Sequence, residues 1–213
     1  QILFSLKHGW KFVRAIERDH RYPPRWDVPG AYDRTVGLIS LGMVGQKTAE
    51  LLQPFDLHLL AYSPISAPRA EELGIELVSL EELFRRSDVV SLHTAWLPET
   101  EGMITGDHFR LMKPGATFIN SARGAIVNEP EMIAVLKERP DLWAILDVTY
   151  PEPPEPGSPL YTLPNVVLTP HIAGSMSQEC RRMGRYMVQE LERFLAGEPL
   201  RWSISYEQFQ SLA

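Results

Sequence analysis

From Thr35 onward, short continuous apolar runs alternate with segments whose apolar residues recur every three or four positions. The runs predict strands at 35–41, 57–63, 76–79, 88–94, 116–122, 142–149 and 166–169. Runs such as "DVVSLHT" and "ATFINSA" lack the strict apolar–polar alternation of a strand with one wet face. They suit parallel strands covered on both sides. Between them, Ser79 with Glu82 and Asn128 with Glu131 have capping-box spacing, in which side chain and backbone satisfy each other's amides. Ahead of the alternation, Ile2, Leu6, Trp10, Val13 and Ile16 predict an amphipathic helix over 2–19, and the three prolines and glycine of "YPPRWDVPGAYDR" make the next stretch a linker. At the other end, Met176, Cys180, Met183, Met187, Leu191 and Phe194 line one face of a helix over 176–196, with Gly197 placed to stop it. Strand–helix alternation of this kind is the signature of an α/β, Rossmann-type, doubly wound parallel sheet. The expected organisation is a helix and linker over 1–33, the Rossmann domain over 34–175, and a return helix with tail over 176–213.

Composition narrows the setting. The 213 residues are 44% hydrophobic and 23% charged, with a formal net charge of -6, the balance of a globular protein. That charge, without any long basic run, argues against a nucleic-acid surface. Cys180 is the single cysteine, so no internal disulfide can form, which suits a reducing compartment. With no stretch of about 18 apolar residues and no signal-peptide layout, a cytoplasmic protein without a membrane partner is expected. Gln1 rather than Met opens the chain, so a fragment or processed product is expected.

The first chemistry lies in "TVGLISLGMVGQKTAELL". A dinucleotide turn reads G-x-G-x-x-G; here the pattern is Ser40-x-Gly42-x-x-Gly45. The first glycine permits the tight turn, the second admits the pyrophosphate, and the third lets helix pack on strand. Gly42 and Gly45 keep the last two functions, and Ser40 is expected to strain the turn if its backbone needs a conformation that glycine prefers. On the turn alone, a tight strand–helix junction without a ligand is an equal reading. The second strand ends in Ser63 where an acidic residue usually binds the adenosine ribose. Serine can bond a ribose hydroxyl but does not repel a 2'-phosphate, and Arg69 lies six residues on. NAD is favoured, with NADP possible.

Ligands of open α/β sheets bind at the carboxyl ends of the strands. There the sequence sets Arg123 in "FINSARGAIVNE", Asp147 and Glu152 in "AILDVTYPEPP", and His171 after Thr169 in "VVLTPHIAGS". Singly, each is a common loop residue. Jointly they suit a 2-oxo acid, which needs a cation for its carboxylate, a proton donor at its carbonyl, and a carboxylate to hold that donor.

With "GLISLGMVG", "SLHTAWLPETEGMI", "MKPGATFINSARGAIV", "LDVTYPEPP" and "NVVLTPHIAG" in this order, the chain resembles the nucleotide-binding domain of the D-isomer-specific 2-hydroxyacid dehydrogenases along nearly its whole length. The phosphoglycerate-dehydrogenase-like members are the nearest in flavour. The resemblance implies that Arg123 binds the substrate carboxylate and polarises its carbonyl. His171 is implied as general acid in reduction and base in oxidation, with Glu152 bonded to it and favouring its protonated form. It further implies Met43 and Val44 over the pyrophosphate and Ser63 near the ribose. Thr94 and Ala95 are implied on the adenine side, Ser121 and Ala122 facing the cofactor, Asp147 on the nicotinamide amide, and Ala173 and Gly174 completing its wall. Glu152 stands where formate dehydrogenases of the superfamily carry glutamine, so formate is not the expected substrate. Ser40, Ser63, and Ala95 with Trp96 depart from the pattern; His93 is taken as structural and Trp96 as a core or interface aromatic. Family members carry most of a second, substrate-closing domain before this point, so the chain is expected to turn over poorly alone. Homodimerisation is typical of the family. Two alternatives stand beside the enzyme: an NAD(H)-sensing, corepressor-like protein, and a degenerate fragment that oligomerises through its Met-rich helix.

Overall fold

In the computed structural model, which describes residues 1–26, 28–63, 67–206 and 209, each expected apolar run contributes a strand to one sheet. The strands are β1 (Arg34–Ile39), β2 (Leu57–Tyr62), β3 (Glu76–Leu77), β4 (Val89–Leu92), β5 (Thr117–Asn120), β6 (Trp143–Leu146) and β7 (Val166–Leu168). All pairings are parallel, in the order β3-β2-β1-β4-β5-β6-β7. Several strands are shorter than the apolar runs that announce them, because the last residues of those runs leave the ladder to build loops at the carboxyl edge. Between β1 and β4 the chain changes direction across the sheet, which is where such folds open a crevice for a ligand.

Eight α-helices accompany the strands among the described residues. They are α1 (Ile2–Leu6), α2 (Gly9–Asp19), α3 (Met43–Leu52), α4 (Ala67–Glu72), α5 (Leu80–Arg86), α6 (Gly106–Leu111), α7 (Glu129–Glu138) and α8 (Gln178–Leu195). On one face Leu83, Phe84, Phe109, Met132 and Val135 from α5, α6 and α7 pack on Val90, Phe118 and Ala144. Leu6, Ala49, Leu52 and Ala70 from α1, α3 and α4 pack on Val36, Leu38, Val89 and Ile119 across the other. Such two-sided burial explains why the strands read as unbroken apolar runs. Ser79 accepts the Glu82 amide at 3.2 Å and Asn128 the Glu131 amide at 3.3 Å, so both expected helix starts are formed. At the opposite edge of the sheet, Asp88 accepts from the Thr35 amide (2.9 Å) and the Lys113 ammonium (3.2 Å), tying the starts of β1, β4 and β5.

One expectation needs correction. The helix over 2–19 is not continuous: it breaks at Lys7 and His8, where His8 takes a left-handed backbone with φ 52°. The break lays Gly9 against the ring of Phe4, where a side chain on residue 9 would overlap the ring. Residues 1–170 form one compact unit and 171–213 another. In the second, α8 has no buried residue, and Gly197 ends its turn at φ 69°.

Candidate functional site

The turn after β1 is built by a backbone that L side chains rarely adopt. Ser40 has φ 78°, and its amide donates to the Tyr62 carbonyl at 2.8 Å. The strain expected of a serine here is therefore present, at about 1–2 kcal/mol for a left-handed L residue. Gly42 caps α3 with no side chain, and the first helical bond runs from the Gln46 amide to the Gly42 carbonyl at 2.9 Å. The amides of Met43, Val44 and Gly45 accordingly have no partner inside the helix, and Met43 and Val44 are exposed. A methyl group at Gly42 would meet only the Ser40 hydroxyl, at 3.8 Å, so the space above it is open; one at Gly45 would overlap the Ser40 carbonyl oxygen. Open backbone, amides outside the helical ladder and the positive end of α3 fit the pyrophosphate of a dinucleotide.

Ser63 follows β2 and accepts the Leu41 amide at 3.3 Å, so its hydroxyl also braces the glycine turn. Residues 64–66 lie outside the described residues. Arg69 is held by Glu72 at 2.7 Å and Glu50 at 2.5 Å. After β4, the Thr94 hydroxyl donates to the Ile39 carbonyl at 3.3 Å, and the Ala95 carbonyl accepts the Thr100 hydroxyl at 2.7 Å. His93 sits beside the turn, its Cβ 3.6 Å from where a Gly45 Cβ would lie. Burial pushes its imidazole down to about 4, and its Nε2 is buried with no hydrogen-bond partner among the described residues.

After β5, Asn120 is 1% exposed. Its amide donates to the Arg123 carbonyl at 3.0 Å and its oxygen accepts the Ala122 amide at 3.0 Å. This brace fixes Ser121, Ala122 and Arg123 at the carboxyl edge. Arg123 is exposed and in no ion pair among the described residues; its guanidinium touches the Ala122 carbonyl at 2.7 Å. Asp147, 8% exposed at the end of β6, accepts the Thr169 hydroxyl at 2.5 Å. Glu152 is exposed on the loop that follows. His171, Ala173 and Gly174 open the second unit, all exposed, with His171 left-handed at φ 54°. Sequence reasoning missed Asn120, whose signal was a lone amide closing an apolar run. It also missed Glu129, Trp96 and Tyr150 as a connected set, for which the linear order carries no signal.

A parallel sheet that reverses strand order at β1/β4, with a glycine turn and a bare helix N-terminus at that point, defines a Rossmann-type dinucleotide-binding domain. The model for D-isomer specific 2-hydroxyacid dehydrogenase, NAD binding domain, matches residues 2–173, and the chain belongs to that family. It is 37% identical to D-3-phosphoglycerate dehydrogenase of Archaeoglobus fulgidus over 81% of this chain and 33% of that protein. It is 33% identical to hydroxypyruvate reductase of Blautia hydrogenotrophica over 82% of this chain and 55% of that one. Among solved structures, the NAD complex of a D-isomer specific 2-hydroxyacid dehydrogenase from Lactobacillus delbrueckii ssp. bulgaricus matches at a TM-score of 0.79. That match has 28% identity and spans 93% of this chain and 65% of the other. The chain thus spans between a third and two thirds of the length of these relatives.

Proposed function

We propose that this chain supplies the nucleotide-binding half of an oxidoreductase that interconverts a D-2-hydroxy acid and its 2-oxo acid. NAD(H), when bound, supplies or accepts the hydride. The observation that carries the reading is Arg123: its guanidinium is exposed and in no ion pair among the described residues, and its backbone carbonyl is braced by a buried asparagine at the carboxyl edge. It stands two strands from the glycine turn, about 10 Å at ordinary strand spacing. A cation on a braced backbone, beside a dinucleotide turn, suits the carboxylate of a small acid. Arg123, Glu152 and His171 take the three roles that the resemblance implies for them, and Asp147 with the turn residues holds the cofactor.

The cofactor is NAD in preference to NADP. Ser63 offers a hydroxyl, and Arg69, the nearby cation after β2, is engaged by two carboxylates. Three-carbon 2-oxo acids of the hydroxypyruvate class are the substrates to try first, given the relatives' names. A cytoplasmic homodimer is the accompanying proposal; the exposed apolar side chains Met183, Met187, Leu191 and Phe194 on α8 support association. Among the described residues no helix is long and apolar enough to cross a membrane.

The test is a titration with NADH and NADPH, followed by hydroxypyruvate reduction at saturating NADH. Saturable NADH binding, weaker NADPH binding and turnover abolished by Arg123→Gln are expected. Binding without turnover of any small 2-oxo acid, in a protein that carries this chain together with a substrate-closing domain, would favour a sensor over an enzyme, and no binding of either nucleotide would end both readings.

A further inference from the structure

The function proposed above leaves an essential carboxylate, Glu152, on an exposed proline-rich loop, and a group on a loop works only if its surroundings hold it. Contacts from three other segments converge on Thr149 and Tyr150, immediately before it. Gly124, next to Arg123, lies so close to the Thr149 carbonyl that a methyl group would overlap it. Glu129, the first residue of α7, accepts the Tyr150 amide through Oε2 at 3.2 Å. The Trp96 indole meets the Tyr150 ring edge-on, with centroids 5.6 Å apart at 67°, and is itself fixed by its N–H on Glu101 at 3.2 Å. Beyond Glu152, the Tyr161 hydroxyl donates to the Pro154 carbonyl at 3.1 Å.

From this convergence we infer that Glu129 and Trp96 are positioning residues for Glu152, acting through Tyr150; the inference rests on the function proposed above. Glu129 does more than open a helix. A carboxylate needed only for the dipole of α7 would stay in solvent, whereas this one is half-buried and turned onto the amide of a loop 21 residues on. A charge-assisted bond to a backbone amide is stronger than a neutral one and fixes the direction of the chain entering Glu152. Trp96 contributes the opposite constraint. Its ring blocks sideways movement of Tyr150 while the carboxylate holds the backbone. Because Gly124 carries Arg123 with it, the same contacts keep the cation loop and the carboxylate loop at a constant spacing.

The experiment compares the chain with E129A, E129Q, W96A and E129A/W96A. Two quantities are read: amide exchange at Tyr150 and Glu152, and hydroxypyruvate reduction by NADH with the NADH Kd measured alongside. E129A is expected to speed exchange about tenfold and to lower kcat about tenfold, with the Kd for NADH unchanged. E129Q keeps a carbonyl acceptor and should restore both to within about threefold of the starting chain. W96A should cost about threefold, and the double variant should fall short of the product of the two, since both act through one residue. Exchange in E129A at the unsubstituted rate overturns the inference. So does faster exchange with an undiminished kcat, failure of E129Q to rescue, or a loss of NADH affinity that tracks the loss of rate. If the unsubstituted chain binds NADH without turnover, as a nucleotide-binding half alone would, the exchange rates decide whether Glu129 holds the loop; failure to bind NADH is what overturns the proposed function.

Discussion

The loops after β1 and after β5 look alike in one respect and differ in what that respect does. Each is met by a glycine whose missing side chain lets two backbones touch: Gly45, in the first turn of α3, against the Ser40 carbonyl, and Gly124 against Thr149. The first contact is local. It presses α3 onto its own strand and leaves the helix amides facing the carboxyl edge. The second joins segments 25 residues apart and ties the Arg123 loop to the Glu152 loop. The first is also strained, with Ser40 at φ 78°, while Arg123 rests in ordinary extended backbone at φ -148°. A local contact can store strain because the flanking strand and helix hold it in place. A long-range contact between two loops has less to hold it, and here it is built from relaxed backbone and a buried asparagine.

This contrast can be broken by substitution. The largest effects are expected for Gly45→Ala and Gly124→Ala, each losing about 3 kcal/mol because backbone, not a flexible side chain, must give way. Denaturant midpoints measure the loss, and NADH titration separates the two. Gly45→Ala should abolish binding, whereas Gly124→Ala should leave it and depress turnover.

Next comes His93, beside the first glycine. Its imidazole titrates at about 4 in the fold because burial disfavours the charged form, against an ordinary value of 6.5. Between these values the unfolded chain binds the extra proton, so stability is full above about pH 6.5 and falls as pH drops towards 4, by up to about 3 kcal/mol. Unfolding of His93→Asn across that range should show a flatter dependence; an unchanged slope would remove His93 from the account.

Asn120→Ala strikes the second loop and should cost about 1 kcal/mol, since it leaves the part-buried Ala122 amide and Arg123 carbonyl without their partner. A smaller loss would mean that water replaces the asparagine. The last, of similar size, has the opposite sign: Ser40→Gly should raise stability by about 1 kcal/mol by relieving the left-handed backbone. Thermal or chemical melts would show it, and a destabilised glycine variant would mean that the Ser40 side chain earns its place by a bond.

The same contrast explains how much of the fold is legible in the chain alone. The central strands were legible because both faces of the sheet are covered there, so β1, β4, β5 and β6 appear within apolar runs; β3, with Glu76 and Leu77 both exposed, is the exception. The glycine turn was legible because its partners lie five residues apart. Even its strain could be anticipated from a serine at a glycine position. The break at His8 was not, because the apolar spacing of three and four runs on across it and only the fit of Gly9 to the Phe4 ring decides otherwise. Nor was the set formed by Trp96, Glu129 and Tyr150. Those residues come from two loops and the start of α7, whose proximity follows from strand order, and no one of them points to the others in the linear sequence. Arg69 was legible as a cation near the second strand; its two carboxylate partners, one from α3, were not.

The edges of the sheet have a bearing on how copies of the protein meet. On one side β3 is only two residues long, with Glu76 clamped by Arg86 at 2.7 Å; on the other β7 is three residues long, and the Arg14 guanidinium reaches the Val166 carbonyl at 3.5 Å. Short edges crossed by charged side chains are poor templates for another strand. Crowding such molecules together therefore favours contacts between helices over growth of the sheet, and the fold carries its own guard against fibrous aggregation.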